Sequence, residues 1–403
     1  MTLYLVVFKS LRQHALSTVV TALSIALAGG LMMSVWAIKD QSDATFTGVN
    51  AGFDAVLGAR GSRLQLVLNA IFNLETSPGN LAWSDFLDIQ QNPNVELAVP
   101  IAVGDNYYGF RIVGTTPDLF GKSEYAPGKK FSLEPGGTWF DPLRREAVVG
   151  SFAARKMHLK PGDTFHPYHG LIFNEKDQHS ETYVVVGVLK PTNTPADQVI
   201  WIPLAGIQHM SGHDPKFATD VSAVLVKLKA DSPLAGFQMD MMYNRQGNRL
   251  TFAWPIGAVM AELFDKISWF DRVLTLVAYL VAIVAAASIL ASIYNSMNER
   301  RREIAILRTL GARRITIFTA VVLEATSISA LGMFIGFGVY FAIFVVVADI
   351  IRAQTGVVLN PFKFNAIMLW APAAFIVLGA LAGIVPAIKA YRVDVAQGLA
   401  PVT

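Results

Sequence analysis

Four long apolar stretches constrain this chain more than any other feature of its sequence. A membrane-spanning helix needs about 20 mostly apolar residues to cross about 30 Å of hydrocarbon. The stretches that meet this requirement are residues 15–38, 273–296, 315–347 and 367–387. The chain is also poor in charge, with 16% charged residues against roughly 25% in soluble domains. The sequence therefore predicts an α-helical membrane protein with four transmembrane helices.

The first stretch has a second interpretation, because Lys9 and Arg12 precede it and small residues occur within it. These features are also found in a cleaved signal peptide. However, the apolar run is long for such a peptide, and no clean A-x-A cleavage site follows it. We therefore interpret it as an uncleaved span.

Three short flanks of the spans contain clustered positive charges. Lys and Arg in short flanking segments are retained in the cytoplasm. The basic residues lie before span one, between spans two and three, and after span four: Lys9, Arg12, Arg300, Arg301, Arg302, Arg308, Arg313, Arg314, Lys389 and Arg392. With four spans, all of these flanks fall on the cytoplasmic side, and the long segment between spans one and two lies outside.

The predicted organisation follows from these spans and charges. Its parts are a cytoplasmic N-terminal helix (1–14), span one (15–40), an extracytoplasmic domain (41–270), span two (271–296), a cytoplasmic loop (297–314), span three (315–348), an outer loop (349–366), span four (367–388) and a cytoplasmic tail (389–403). The large domain contains β-rich runs such as VELAVPIAV and TYVVVGVL, separated by helical patches, which predicts an α+β fold. Its ends, 41–70 and 255–272, are amphipathic and predict helical stalks.

Several classes of function are disfavoured by the sequence. The chain has no cysteine, which excludes disulfides, thiolate metal sites and cysteine nucleophiles. The arginines lie beside spans and do not form a basic face, so we expect no nucleic-acid partner. No phosphate-binding loop, nucleophile elbow or HExxH motif is present, so we expect no catalytic residue and no enzymatic activity on this chain.

Two pairs of histidines in the large domain are candidate metal ligands. They are His166 and His169 in HPYH, and His209 and His213 in HMSGHD. His209 and His213 are spaced to share one face of a short helix, and neutral imidazoles bind divalent metal ions. The competing interpretation is that all four are solvated loop residues, because nothing in the sequence shows that the two pairs meet.

The cytoplasmic loop between spans two and three has a helical pattern. Ile304, Leu307 and Leu310, together with Ile306, form an apolar stripe at helical spacing, and charged residues occupy the remaining surface. Gly311 is placed to end the helix. The sequence therefore predicts a short amphipathic helix at the cytoplasmic face. The alternative is that the arginines only fix topology and contact anionic lipid.

At this point the sequence resembles a known family. NERRREIAILRTLGARRITIF is similar to the loop between the second and third spans of the MacB/FtsX-like permeases of ABC transporters. Similarity extends to EAVVGSFAARKMHLKPGDTF in the large domain and to VPAIKAYRVDVAQGLAPV after span four, where Gly398 replaces the family's usual Ala. In that family the loop carries a coupling helix that docks on an ATPase. The resemblance assigns this role to Glu299, Arg302, Glu303, Ile304, Leu307, Arg308, Leu310 and Gly311.

The resemblance implies a dimeric permease subunit in the bacterial inner membrane, with its large domain in the periplasm. ATP hydrolysis by a cytosolic ABC ATPase would drive movement of the periplasmic domains, in the manner called mechanotransmission. The expected partners are that ATPase, a second copy or a paralogous permease, membrane lipid, and a periplasmic adaptor or substrate-binding protein. Because only about fourteen residues precede span one, we expect the ATPase to be a separate protein. ATP and Mg²⁺ would be bound by the ATPase, and no cofactor by this chain.

The substrate is left open by the sequence. The candidates are a small amphipathic compound that is exported, a lipid or lipoprotein that is extracted, and a metal or metal complex, for which the histidine pairs argue. A protein of the FtsX type, which signals to periplasmic partners without transport, is an alternative of a different class.

Three residues within span three have structural interpretations. Glu324 is an acid well inside the span, and we expect it to hydrogen-bond to a neighbouring helix or subunit. Gly332 and Gly336 form a GxxxG motif that permits close helix contact. That contact suits a dimer interface and packing within one chain equally well.

Overall fold

The structure is a computed structural model that describes residues 3–299 and 301–391. The chain divides into two compact units. The membrane unit comprises Met1–Gln41, Ile267–Ala348 and Asn360–Thr403, and the outer domain comprises Ser42–Lys266 and Asp349–Leu359.

Helices dominate the membrane unit and are short in most of the outer domain. In chain order they are α1 (Leu3–Gln13), α2 (Ala15–Gly48), α3 (Arg63–Ala70), α4 (Trp83–Gln90), α5 (Asp118–Gly121), α6 (Ser151–Met157), α7 (Leu204–Gln208), α8 (Ala235–Asp240), α9 (Ile256–Glu299), α10 (Arg301–Thr309), α11 (Arg314–Thr355) and α12 (Ile367–Tyr391). A π-helical turn, Met241–Gln246, follows α8.

Four of these helices, α2, α9, α11 and α12, are long and apolar enough to cross a membrane. Each contains one of the four stretches predicted from the sequence. At 1.5 Å per residue, the 44 residues of α9 extend about 66 Å, which is about twice the thickness of the hydrocarbon layer. The predicted fold class is confirmed: four apolar helices, with a large α+β domain between the first and the second.

Small residues allow α2 and α11 to pack closely within the membrane unit. A Cβ atom added to Gly332 would lie 2.7 Å from Cβ of Ile25. One added to Gly336 would lie 3.3 Å from the carbonyl oxygen of Ala26. Both glycines of the GxxxG motif therefore contact α2 of the same chain, where a larger side chain would push the helices apart.

The outer domain is built on one mixed sheet. Its strands are β1 (Ala55–Ala59), β2 (Val95–Tyr107), β3 (Phe110–Thr115), β4 (Glu146–Val149), β5 (Thr164–Phe165), β6 (Tyr168–His169), β7 (Tyr183–Val188), β8 (Ile200–Pro203), β9 (Ala223–Leu228) and β10 (Leu250–Ala253). Their order is β10-β1-β9-β2-β3-β8-β4-β7-β5, and β6 pairs with β2. The pairs β3–β8 and β4–β7 are parallel, and the others are antiparallel. The main apolar core of the domain includes Leu57, Phe165, Tyr183, Val185 and Phe252.

The structure corrects two of the predicted boundaries. The helical stalk predicted over 41–70 ends at Gly48, and β1 follows as a strand that is paired on both edges. A short apolar run that is buried over four of its five residues lacks the alternation that marks a strand, so its periodicity could not separate strand from helix. The outer loop predicted at 349–366 begins as helix, because α11 continues to Thr355. The side-chain amide of Gln198 donates to the carbonyl of Arg352 there.

Candidate functional site

The cytoplasmic segment between α9 and α11 folds as the predicted short helix. Helix α10 ends in a pair of backbone hydrogen bonds: the amide of Gly311 donates to the carbonyl of Arg308, and the amide of Ala312 donates to that of Leu307. This is the Schellman arrangement, which requires a left-handed residue after the helix. Gly311 supplies it with a φ of 97°. The end of α10 is therefore fixed by its own backbone.

The apolar stripe of α10 is only partly available for docking. Ile306, Leu307 and Leu310 are exposed, Leu310 to 79%, and we call these three residues the coupling patch. Ile304 is only 7% exposed. Helical spacing groups Ile304 with Leu307, but the folded chain already covers it, so its role in docking stays a prediction. Arg308 is half-buried.

The side chains of three further residues assigned to docking are not described by the structure. Glu299, Arg302 and Glu303 belong to α9 and α10, but their side chains lie outside the described part of the chain. Arg300 and the C-terminal segment with Arg392 and Gly398 also lie outside it.

Glu324 has a protein partner within the membrane unit. Its side chain is 8% exposed, and its Oε1 accepts a short hydrogen bond from the hydroxyl of Ser10 on α1. An intramembrane acid is expected to find such a partner. The bond joins α11 to α1.

The outer domain brings four potential metal ligands together. They are Asp105, His169, His179 and His213, which we call the His–Asp cluster, and one ligand atom from each lies within 4.8 Å of all the others. Oδ1 of Asp105 lies 3.1 Å from Nε2 of His179, 3.1 Å from Nε2 of His213 and 3.5 Å from Nδ1 of His169. Three imidazole nitrogens therefore surround a single carboxylate oxygen.

Strand pairing accounts for two members of the cluster. The register of β2 shifts between Val103 and Asp105, so a β-bulge precedes the acid. Asp105 is then paired directly with His169 of β6. Residues directly opposite in an antiparallel pair have their Cβ atoms about 5 Å apart. The sheet itself therefore places these two side chains together.

Hydrogen bonds between loops position the other two histidines. The carboxylate of Glu181 accepts from the backbone amide and the hydroxyl of Ser211, at 3.0 and 2.8 Å. This bond joins the segment that carries His179 to the loop that carries His213. His213 is fixed further by its Nδ1, which lies 2.9 Å from the carbonyl oxygen of Ile207. The cluster is thus held by bonds to residues that do not belong to it.

The electrostatics of the cluster centre on Asp105, whose side chain is fully buried. Burial alone would raise the pKa of this carboxyl group, but the hydrogen bonds and positive charges of His179 and His213 outweigh burial and lower the pKa. The hydrogen bond to Asp105 raises the pKa of His213, against the opposing effect of burial. Oδ2 of Asp105 is buried without a hydrogen-bond partner among the residues that the structure describes.

A cleft of about 290 Å³ opens beside the cluster. Its walls include His169 and His213, and two acids, Asp214 and Asp220. The side chain of His169 is 53% exposed. Solvent and small cations therefore have a route to the cluster.

The structure separates the histidines that the sequence had grouped. His169 and His213 join the cluster, whereas His166 bonds through Nδ1 to the carbonyl of Glu181, 3.1 Å away, and is not part of it. His209 is exposed and is also not part of it. The predicted shared helical face of His209 and His213 does not form, because α7 ends at Gln208 and Gly212 turns the chain with a φ of 88°.

Two members of the cluster, Asp105 and His179, were missed in the sequence. Asp105 lies in GDNYYG and His179 in QHSE, and neither segment has ligand-like spacing. The one available signal was that Gly104 and Asp105 interrupt an apolar strand pattern, which is typical of a bulge.

Comparison with known proteins agrees with this architecture. Residues 15–241 match the family described as MacB-like periplasmic core domain, and residues 275–395 match FtsX-like permease C-terminal. The class is therefore a multi-pass membrane protein with a periplasmic-type domain. The chain belongs to the MacB/FtsX-like permease family of ABC transporters, as its cytoplasmic loop predicted.

Two relatives of known name are about one quarter identical to this chain. The probable syringafactin export ATP-binding/permease protein of Pseudomonas syringae pv. tomato is 24% identical over 334 residues, covering 79% of this chain and 47% of that protein. The macrolide export ATP-binding/permease protein MacB of Brucella melitensis biotype 1 is 25% identical over 402 residues, covering 95% of this chain and 58% of that protein. The chain spans about half the length of these relatives.

Two solved structures are similar to about half of the chain. The extracellular domain of the transporter YknZ from Gram-positive bacteria has 18% identity and a TM-score of 0.32, covering 49% of this chain and 99% of that one. The periplasmic region of MacB from Actinobacillus actinomycetemcomitans has 12% identity and a TM-score of 0.36, covering 54% of this chain and 94% of that one.

Proposed function

We propose that this chain is the membrane-embedded subunit through which a cytosolic ABC ATPase moves the outer domain. The observation that carries the proposal is helix α10, whose coupling patch is exposed and whose end is fixed between two spans. Exposed apolar residues on a short, charged helix are suited to docking on another protein. Membership of a family of ABC transporter permeases supports the choice of an ATPase as that protein.

The two helices that flank α10 supply a physical route for the movement. Helix α9 begins at Ile256, among residues of the outer domain, and ends at Glu299. Helix α11 begins at Arg314 and reaches Thr355, which again belongs to the outer domain. A continuous hydrogen-bonded helix is a rigid element, so displacement of α10 is passed along both helices.

The remaining parts of the proposal follow from this role. ATP and Mg²⁺ are bound by the ATPase, and this chain contributes no catalytic residue. A pair of ATPase subunits requires a pair of docking helices, so we propose a dimer with a second copy or a paralogous permease. The positively charged flanks favour an orientation with the outer domain outside the cytoplasm, and the family resemblance supports the inner membrane of a bacterium, with that domain in the periplasm. The names of the two relatives support an export-type system.

Co-purification tests this proposal. The full chain, carrying an affinity tag without histidines, is purified in mild detergent from its native cells, and the proteins that accompany it are identified by mass spectrometry. We expect an ABC ATPase in equal molar amount. Recovery of the chain without an ATPase, under conditions that keep other ABC complexes intact, would overturn the proposal.

A further inference from the structure

We propose that the outer domain binds a divalent transition-metal ion of the zinc class at the His–Asp cluster. The four ligands would be Nδ1 of His169, Nε2 of His179, Nε2 of His213 and a carboxylate oxygen of Asp105. Zn²⁺ is bound in four-coordinate sites by imidazole nitrogen and carboxylate oxygen.

The distances between ligand atoms fit such an ion. With metal–ligand bonds of about 2.0 Å, the edge of a tetrahedron is about 3.3 Å long. The three separations between Asp105 Oδ1 and the imidazole nitrogens are 3.1, 3.1 and 3.5 Å. All four ligand atoms lie within 4.8 Å of one another, so rotation of the imidazole side chains is enough to place an ion among them.

The hydrogen bonding of His213 also calls for a cation. Its Nδ1 lies 2.9 Å from a backbone carbonyl, which only accepts, so Nδ1 carries a proton. In a neutral ring Nε2 is then an acceptor, yet it lies 3.1 Å from the carboxylate of Asp105, which is also an acceptor. A proton or a metal ion must lie between them. The carbonyl behind Nδ1 is the second partner that metal-binding histidines normally have.

A single divalent ion can use all four side chains of the cluster at once. Protons can also satisfy Oδ1 of Asp105, because a protonated His213 and the neutral Nε2–H tautomer of His179 both donate to it. A bound ion would instead coordinate three neutral imidazoles and one carboxylate. It would also place positive charge beside Oδ2 of Asp105, which is buried without a partner in the described residues.

The chemistry of the ligands selects the ion. Imidazole nitrogen suits zinc and its transition-metal neighbours, whereas magnesium and calcium prefer oxygen. The cluster contains no sulfur ligand, which disfavours Cu(I). Because His169 is half exposed and the adjacent cleft carries two acids, the ion has a route in and out. We infer an exchangeable ion.

An exchangeable site also bears on the substrate. Combined with the proposed function, on which this step rests, it makes a metal ion or a small metal complex the substrate class that this outer domain fits. The four cluster residues therefore favour the metal-handling interpretation over amphipathic compounds and lipids.

Metal titration tests the site without any ATPase. The full chain in detergent, with a histidine-free tag, is titrated with Zn²⁺ against a chromogenic chelator, and with Co²⁺ to read tetrahedral coordination from its visible absorption. We expect one ion per chain. Asp105→Asn and His179→Gln should each weaken binding by more than about 100-fold. The matched control His209→Gln, an exposed histidine outside the cluster, should leave it unchanged.

Three results would overturn the site. They are binding no tighter than millimolar in the wild type, unchanged binding in the cluster variants, and an equal loss in the control. If a buried variant fails to fold, as judged by gel filtration and circular dichroism, the half-exposed His169→Gln replaces it.

A second experiment tests the proposed metal site and the proposed transport function separately. In vesicles containing the chain and its ATPase, Zn²⁺ should stimulate ATP hydrolysis in the wild type but not in His213→Gln. Binding without stimulation would overturn the substrate class and leave the site intact. Binding by a chain that recruits no ATPase would overturn the proposed function and again leave the site intact.

Discussion

A buried carboxylate of the membrane unit, Glu324, and a buried carboxylate of the outer domain, Asp105, have different partners. Glu324 on α11 accepts a hydrogen bond from the hydroxyl of Ser10. Asp105 in the outer domain faces three imidazoles through one oxygen, while its other oxygen has no partner in the described chain. The hydroxyl of Ser10 forms a hydrogen bond, whereas the nitrogen of an imidazole can carry a proton or bind a metal ion.

The comparison shows that burial alone does not identify a functional acid. Both side chains are removed from solvent, with Glu324 at 8% and Asp105 at 0% exposure. What differs is the chemistry of the neighbours, which suits Glu324 to joining two helices and Asp105 to holding a cation. Three measurements sharpen or break this distinction.

The largest effect should be the response of stability to zinc. A ligand present at 100 times its dissociation constant stabilises the native state by about 2.7 kcal/mol. We expect Zn²⁺ to raise the thermal midpoint of the wild type and of Glu324→Gln, but not that of Asp105→Asn. Differential scanning fluorimetry of the full chain in detergent measures this. A zinc response that survives in Asp105→Asn would remove the distinction between the two acids.

Removing the carboxylate of Glu324 should lower the stability of the protein by somewhat less. Glu324→Ala leaves the buried hydroxyl of Ser10 without this acceptor, which is expected to destabilise the membrane unit by about 2 kcal/mol. Glu324→Gln keeps an acceptor oxygen and should lie close to wild type. Thermal unfolding without added metal compares the three proteins. Equal losses in both variants would mean that charge, and not the hydrogen bond, is what matters there.

Weakening the hydrogen bonds of Glu181, which hold the two histidine-bearing loops together, should have a smaller effect on zinc affinity. Glu181→Gln retains one of the two bonds to Ser211, so the loops remain joined but less well aligned. Second-shell changes reduce metal affinity by about tenfold or more, and we expect about tenfold here. The control Glu96→Gln alters an exposed ion pair with Lys227 and should leave zinc affinity unchanged.

The cytoplasmic helix could be predicted because its determinants are local. Leu307, Leu310 and Gly311 follow one another within a single turn and its end, so spacing alone indicates both the apolar face and the stop. The burial of Ile304 could not be predicted in this way, since periodicity defines a face but not which part of it is covered. The spans were predicted because length and hydrophobicity suffice.

The His–Asp cluster could be predicted only in part because its members are distant in sequence. Asp105 and His213 are 108 residues apart, and their contact depends on strand register and on a bulge. A one-residue change of register would turn Asp105 to the other face of the sheet. The sequence indicated that histidines were available, but the fold decided that His169 and His213 meet His179 and that His166 and His209 do not.

The central claim is that α10 docks on an ATPase, and one measurement tests it most directly. Leu307→Asp puts a charge into the coupling patch, whereas Thr309→Asp puts the same charge on the same exposed helix about 200° away. Binding of the co-purified ATPase to each purified variant is measured by titration. We predict at least tenfold weaker binding for Leu307→Asp and near wild-type binding for Thr309→Asp. Wild-type binding and ATPase stimulation by Leu307→Asp would contradict the claim.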